Sequence, residues 1–114
     1  MSLLRHLALA GTAALLFALA ACSKPIPPER SAYVGDWRAP QMRLLITQGG
    51  RVEYERHEGS TSTKVSAPLQ EFEGDNFTAG VGPMSTTFVV TAPPHRDGDK
   101  TVMTVDGVQL EKQP

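Results

Sequence analysis

The chain contains very little cysteine and has no excess of positive charge. Its single cysteine among 114 residues excludes a disulfide within the chain. Lysine and arginine number 11 against 12 aspartates and glutamates, which gives a formal net charge of -1. Because nucleic-acid binding depends on clustered basic side chains that neutralise phosphates, this balance predicts no nucleic-acid partner. The length suits one small domain and excludes a multidomain enzyme.

Apolar residues are concentrated at the N-terminus. Arg5 and His6 form a short polar start, and an apolar stretch follows over residues 7–21. A membrane-spanning helix needs about 20 apolar residues, so this stretch is short for a span and suits the apolar region of a signal peptide. Residues 1–21 are therefore predicted to be a cleaved signal peptide.

The only cysteine, Cys22, directly follows the apolar stretch and is preceded by Leu19, Ala20 and Ala21. These four residues resemble the lipobox of bacterial lipoproteins, in which a branched apolar residue and two small residues precede the modified cysteine. The resemblance implies recognition by the lipoprotein signal peptidase, cleavage before Cys22 and a diacylglycerol on its sulfur, with a further acyl chain such as palmitate on the new amino group. Several acyl chains anchor a protein to the membrane effectively permanently. In lipoproteins that this sequence resembles, an Asp directly after the modified cysteine tends to hold the protein in the inner membrane. The resemblance therefore implies that Ser23, at this sorting position, favours the outer membrane and its periplasmic face.

The composition changes after the cysteine. Three prolines within residues 25–28 predict a Pro-rich linker over 22–32, either an extended spacer or a disordered tail. From residue 33 to 114, short apolar runs alternate with period two and are separated by Gly, Pro, Asp and Asn, and no long helical periodicity occurs. This pattern predicts a small all-β domain, an antiparallel barrel or sandwich of about eight short strands.

Turn residues predict where the strands begin and end. The run from Gln48 to Gly50 predicts a hairpin turn, and the dipeptide Asp106-Gly107 between apolar runs is the strongest hairpin signal in the chain. Pro68 is expected to separate two strands. Pro93 and Pro94, together with the polar residues 95–99, are expected to form a loop.

Gly35, Asp36 and Trp37 resemble the Gly-x-Trp element that opens the first strand of lipocalin-like and avidin-like barrels. The resemblance implies that Trp37 closes one end of a barrel, which would bind a small hydrophobic ligand. Under that interpretation four aromatic side chains line the cavity: Trp37, Tyr54, Phe77 and Phe88. The other interpretation is a core filled by these side chains, since an eight-stranded barrel is just wide enough for its own interior. Residues 33–110 also resemble small proteobacterial lipoproteins of unassigned function, which implies no chemistry.

The sequence shows no catalytic or metal-binding pattern. His57 and His95 have carboxylates nearby, but their spacing predicts a solvated strand end and a turn instead of a metal site. No Gly-x-Ser-x-Gly elbow is present. We therefore expect a non-enzymatic, lipid-anchored envelope protein with no cofactor beyond the lipid on Cys22. Its β domain is expected to act as an interaction or structural module for an envelope protein, and the alternative is the ligand-binding barrel.

Overall fold

The computed structural model describes residues 23–114, and β-strands make up nearly all of the regular structure in this range. One 3-10 helix, Pro28–Tyr33, comes first. Nine strands follow it: β1 Gly35–Ala39, β2 Met42–Ile46, β3 Arg51–Glu58, β4 Thr61–Glu73, β5 Asn76–Val81, β6 Met84–Phe88, β7 Val90–Asp97, β8 Lys100–Val105 and β9 Val108–Lys112. Within residues 23–114 no helix has the length and apolarity needed to cross a membrane. The all-β prediction is confirmed.

The nine strands form a single antiparallel sheet that curls into a half-barrel. The strand order is β6-β5-β4-β3-β2-β1-β9-β8-β7, so neighbours in the sheet are neighbours in the chain except where β1 pairs with β9. The sequence did not distinguish a barrel from a sandwich. The structure shows one curled sheet with nine strands, in agreement with the predicted count of about eight.

The core lies against one face of the sheet and is built from alternate residues. In β2, Met42, Leu44 and Ile46 are buried, whereas Arg43 between them is exposed. This alternation follows from the period of two in a strand, in which successive side chains point to opposite faces. Side chains with no exposed surface come from seven of the nine strands: Trp37, Leu44, Ile46, Val52, Phe77, Phe88, Met103, Val105 and Leu110.

β4 continues through Pro68, where a break between two strands was expected. Residues 61–68 pair with β3 and the following residues pair with β5, so the proline lies where β4 changes its partner. A proline cannot donate a hydrogen bond to a neighbouring strand. It is tolerated here because pairing with β3 ends at this residue, and the next amide, Leu69 N–H, donates to the Gly50 carbonyl at 2.8 Å.

β7 also continues through residues that were expected to form a loop. It contains Pro93 and Pro94 and pairs only with β8 among the described strands. Its register against β8 shifts between Val90 and Ala92 and again between Ala92 and His95, so both prolines lie at an irregularity. Proline is compatible with an edge strand at such positions, because no regular ladder donor is required there.

A very short junction connects β6 to β7, although these strands lie at opposite ends of the sheet order. Val89 is the only residue between them. Its N–H donates to Asp106 Oδ1 at 2.9 Å, and the Asp106 N–H donates to the Val89 carbonyl at 2.8 Å. Asp106 has φ 48° in the two-residue turn with Gly107 that joins β8 to β9. The predicted Asp-Gly hairpin is confirmed, and its aspartate also holds the junction.

Candidate functional site

The four aromatic residues considered as ligand-lining lie in the core and contact one another or the backbone. Phe77 stacks on Phe88 with ring centroids 4.9 Å apart, and Tyr54 meets Phe88 edge to face at 5.2 Å. Trp37 donates from Nε1 to the Tyr33 carbonyl at 2.9 Å. A ligand between these rings would have to displace close aromatic contacts that stabilise the core.

Five surface depressions have volumes from about 260 to about 410 Å3. None of the five has Trp37, Phe77 or Phe88 in its wall. Tyr54 contributes to the largest, which is lined mainly by polar and charged residues of β2, β3 and β4. These depressions lie on the surface of the curled sheet and not among the core aromatic rings.

The two histidines of the domain make local contacts on the surface. His57 Nε2 lies 2.9 Å from Glu55 Oε1 on the same strand, and His95 Nδ1 lies 2.9 Å from the Pro93 carbonyl. In the part of the chain from residue 23 onward, no group of three His, Cys, Asp or Glu side chains is placed to hold a metal ion.

The predicted processing and lipidation residues lie largely outside the described range. Leu19, Ala20, Ala21 and Cys22 precede the first described residue, Ser23, which is half-buried. Their roles stay predictions from the sequence.

The segment that follows Ser23 docks on the domain. Ile26 is buried, its N–H donates to the Gln48 carbonyl at 2.9 Å, and its carbonyl accepts from Gln48 Nε2 at 3.4 Å. Gly50, with φ +90°, lies so close to the Lys24 carbonyl that a Cβ there would overlap it. The described part of the predicted linker over 22–32 thus packs against the turn between β2 and β3.

The 3-10 helix continues this docking through Tyr33. The Tyr33 ring meets Phe72 edge to face at 5.0 Å, and its hydroxyl donates to the Asp75 carbonyl at 2.9 Å. Burial raises the pKa of the Tyr33 phenol above its ordinary value, and the Asp75 carboxylate raises it further. The phenol therefore keeps its proton and remains a hydrogen-bond donor. Arg30 lies over the Phe72 ring at 4.8 Å and covers this contact.

The curled sheet has two edge strands, β6 and β7, and the sequence of β7 blocks its edge. Prolines, charged side chains and bulges are the means by which natural sheets prevent pairing with another chain. β7 combines all three, with Pro93 and Pro94, the charged Arg96 and Asp97, and two register shifts.

β6 carries none of these protective features. Its residues Met84, Ser85, Thr86 and Thr87 are all exposed, and none of them is charged or a proline. β6 pairs with β5 on one side, and no strand among residues 23–114 pairs with its other side. Residues 84–88 therefore form an open sheet edge, and we refer to them by that name.

No protein-family model, curated protein or solved structure matches the chain. The candidate site therefore rests on the structure alone. It consists of the open sheet edge and the docked N-terminal segment.

Sequence reasoning did not identify the open sheet edge. The signal that was available is the contrast between the uncharged β-branched run before Val89 and the two prolines after it. That contrast indicates one open and one blocked edge only when both segments are known to lie at sheet edges. This knowledge depends on the strand order.

Proposed function

We propose that this chain is a lipid-anchored bacterial envelope protein of non-enzymatic type, whose β domain binds a partner protein through the open sheet edge. The lipid on Cys22 anchors it to the outer membrane, with the domain on the periplasmic side. The lipobox resemblance at Leu19 to Cys22 supports the anchor, and Ser23 supports the choice of membrane.

The contrast between the two sheet edges carries the proposed binding mode. An exposed edge offers unpaired N–H and C=O groups to which an extended segment of another protein adds as a further strand. Because such edges also promote aggregation, natural proteins normally block them, as β7 does. An unblocked β6 beside a blocked β7 therefore favours use of β6 for binding.

Removal of the Cys22 thiol is expected to abolish lipid attachment. In cells fed an alkyne-labelled palmitate, we expect labelled protein for the natural chain and background signal for Cys22→Ser. The matched variant Ser23→Asp keeps the thiol, so we expect it to retain the label but to shift from the outer-membrane to the inner-membrane fraction. Label that persists in Cys22→Ser would contradict the anchor.

A photoreactive amino acid in place of Thr86 is expected to crosslink a partner in cells as one adduct of defined mass. Thr91 is the matched control, because it is also an exposed threonine but lies on the blocked β7 edge. We expect no such adduct from position 91. We further expect Thr87→Lys to reduce the adduct from position 86, since a charge on an edge opposes strand addition. Equal adducts from both positions would contradict binding at the open sheet edge.

A further inference from the structure

Two large apolar side chains are exposed at the turn between β5 and β6. Val81 is 71% exposed and Met84 is 81% exposed, with Gly82 and Pro83 between them. A Cβ added to Gly82 would meet nothing within 4 Å, so the space beside this glycine is open. We refer to residues 81–84, none of which is charged, as the apolar turn.

The apolar turn lies beside the first described residues of the chain. Lys24 lines the same surface depression as Val81 and Gly82, with a volume of about 350 Å3. Gln70 of β4 donates from Nε2 to the Gly82 carbonyl at 3.1 Å and holds the turn there. Lys24 is two residues after Cys22, and two residues of chain reach at most about 7 Å. The predicted lipid attachment point is therefore close to the apolar turn.

The docked N-terminal segment leaves little slack between the lipid and the domain. Only Ser23, Lys24 and Pro25 separate Cys22 from Ile26, whose side chain is buried and whose N–H is bonded to Gln48. If Cys22 carries the proposed lipid, so short a tether restricts how far the domain can turn this end away from the bilayer. The surface next to Lys24 would then lie near the lipid headgroups.

We infer that the apolar turn is a second membrane contact, in which Val81 and Met84 enter the headgroup region of the bilayer that holds the acyl chains of Cys22. This inference rests on the proposed lipid anchor. Transfer of apolar side chains from water into the boundary between headgroups and acyl chains is favourable, and it adds to the binding from the acyl chains. Lipid is the inferred partner of the apolar turn because the short segment between Cys22 and Ile26 keeps the acyl chains at this end of the molecule.

This contact also orients the open sheet edge. β6 begins at Met84 in the apolar turn and runs to Phe88. With Met84 in the headgroup region, the remaining edge residues lead away from the bilayer. Ser85, Thr86 and Thr87 therefore stay accessible to a partner protein while the apolar turn is in lipid.

A fluorophore on a single introduced cysteine tests the membrane contact. The lipidated protein beginning at Cys22 is reconstituted into vesicles of phosphatidylethanolamine and phosphatidylglycerol, and acylated Cys22 has no free thiol to label. One variant is Met84→Cys, and the matched control is Ser60→Cys in the exposed turn between β3 and β4. Ser60 lies eight residues along the strand from Pro68, which lines the depression with Lys24, or about 26 Å of extended chain.

We expect nitroxide-labelled lipids to quench the fluorophore at position 84 several-fold more strongly than the one at position 60. Iodide in the aqueous phase should show the opposite preference. Equal lipid quenching at both positions overturns the inference, and so does a label at position 84 that is shielded from both quenchers, since a protein then covers the turn. Labelling of Cys22 in the natural chain would instead overturn the anchor itself, so the two failures are distinguishable.

Discussion

Phe88→Ala is expected to remove about 4 kcal/mol from the free energy of unfolding, which is the usual cost of deleting a fully buried phenylalanine ring. Phe88 has no exposed surface and contacts both Phe77 and Tyr54 through its ring. A domain of this size has a total stability on the order of 5–14 kcal/mol, so this single change removes a large share of it. Urea unfolding of a chain of residues 23–114, followed by circular dichroism, measures the loss.

Two variants calibrate the Phe88 result. Thr87→Ala changes the neighbouring exposed residue of β6 and is expected to alter stability by less than about 0.5 kcal/mol. Phe88→Leu keeps most of the side-chain volume and should lose clearly less than Phe88→Ala. A loss below about 1 kcal/mol for Phe88→Ala would contradict tight packing of the ring. It would favour the alternative in which Phe88 lines a ligand cavity.

Gly50→Ala is expected to release the docked N-terminal segment and to lower stability by about 2–3 kcal/mol. Gly50 has φ +90°, which a residue with a Cβ rarely adopts, and the added Cβ would overlap the Lys24 carbonyl. Because Ile26 N–H bonds to Gln48 in the same turn, its amide hydrogen should exchange with solvent about ten-fold faster or more. Hydrogen exchange followed by NMR measures this rate directly.

Gly49→Ala is the matched control for Gly50→Ala. Gly49 lies in the same turn without a positive φ, and its Cβ would meet only Thr47 Oγ1 at 3.9 Å. We expect little change in stability and no change in Ile26 exchange. If Gly50→Ala left the exchange of Ile26 unchanged, the close docking of the segment would be contradicted. The short distance from Cys22 to the domain would then lose its support.

The docked segment matters for function because it sets how far the domain stands from the predicted lipid. An extended spacer through Tyr33 would have separated the domain from the bilayer by about 30 Å. Docking that begins at Lys24 and buries Ile26 removes most of that separation. If Cys22 carries the proposed lipid, the apolar turn lies at the membrane surface and the open sheet edge beside it stays accessible to a periplasmic partner.

Local patterns in the sequence were sufficient for the fold class and for most turns. The sequence predicts short apolar runs with period two, and the burial of Met42, Leu44 and Ile46 confirms this pattern in β2. The Asp106-Gly107 hairpin is confirmed for the same reason, since a two-residue turn is specified by its own residues. The lipobox is equally local, and the anchoring that it implies stays a prediction.

Proline positions show where local reasoning failed. Pro68 and the pair Pro93 and Pro94 were interpreted as breaks, because proline lacks the N–H that a strand ladder requires. All three lie within strands, since Pro68 is where β4 exchanges one partner for another and the others lie on an edge with shifted register. Whether a missing donor matters depends on the neighbouring strand, which the sequence around the proline does not reveal.

By itself, the sequence determined that the domain is all-β, where its clearest hairpins turn and which side chains are candidates for the core. These properties depend on periodicity and on turn residues a few positions apart. Only the tertiary structure decided that β6 and β7 are the edges, that Ile26 docks beside Gln48, and that the apolar turn lies next to Lys24. Those relations join residues distant in sequence, and they arise when nine strands curl into one sheet and bury a common core.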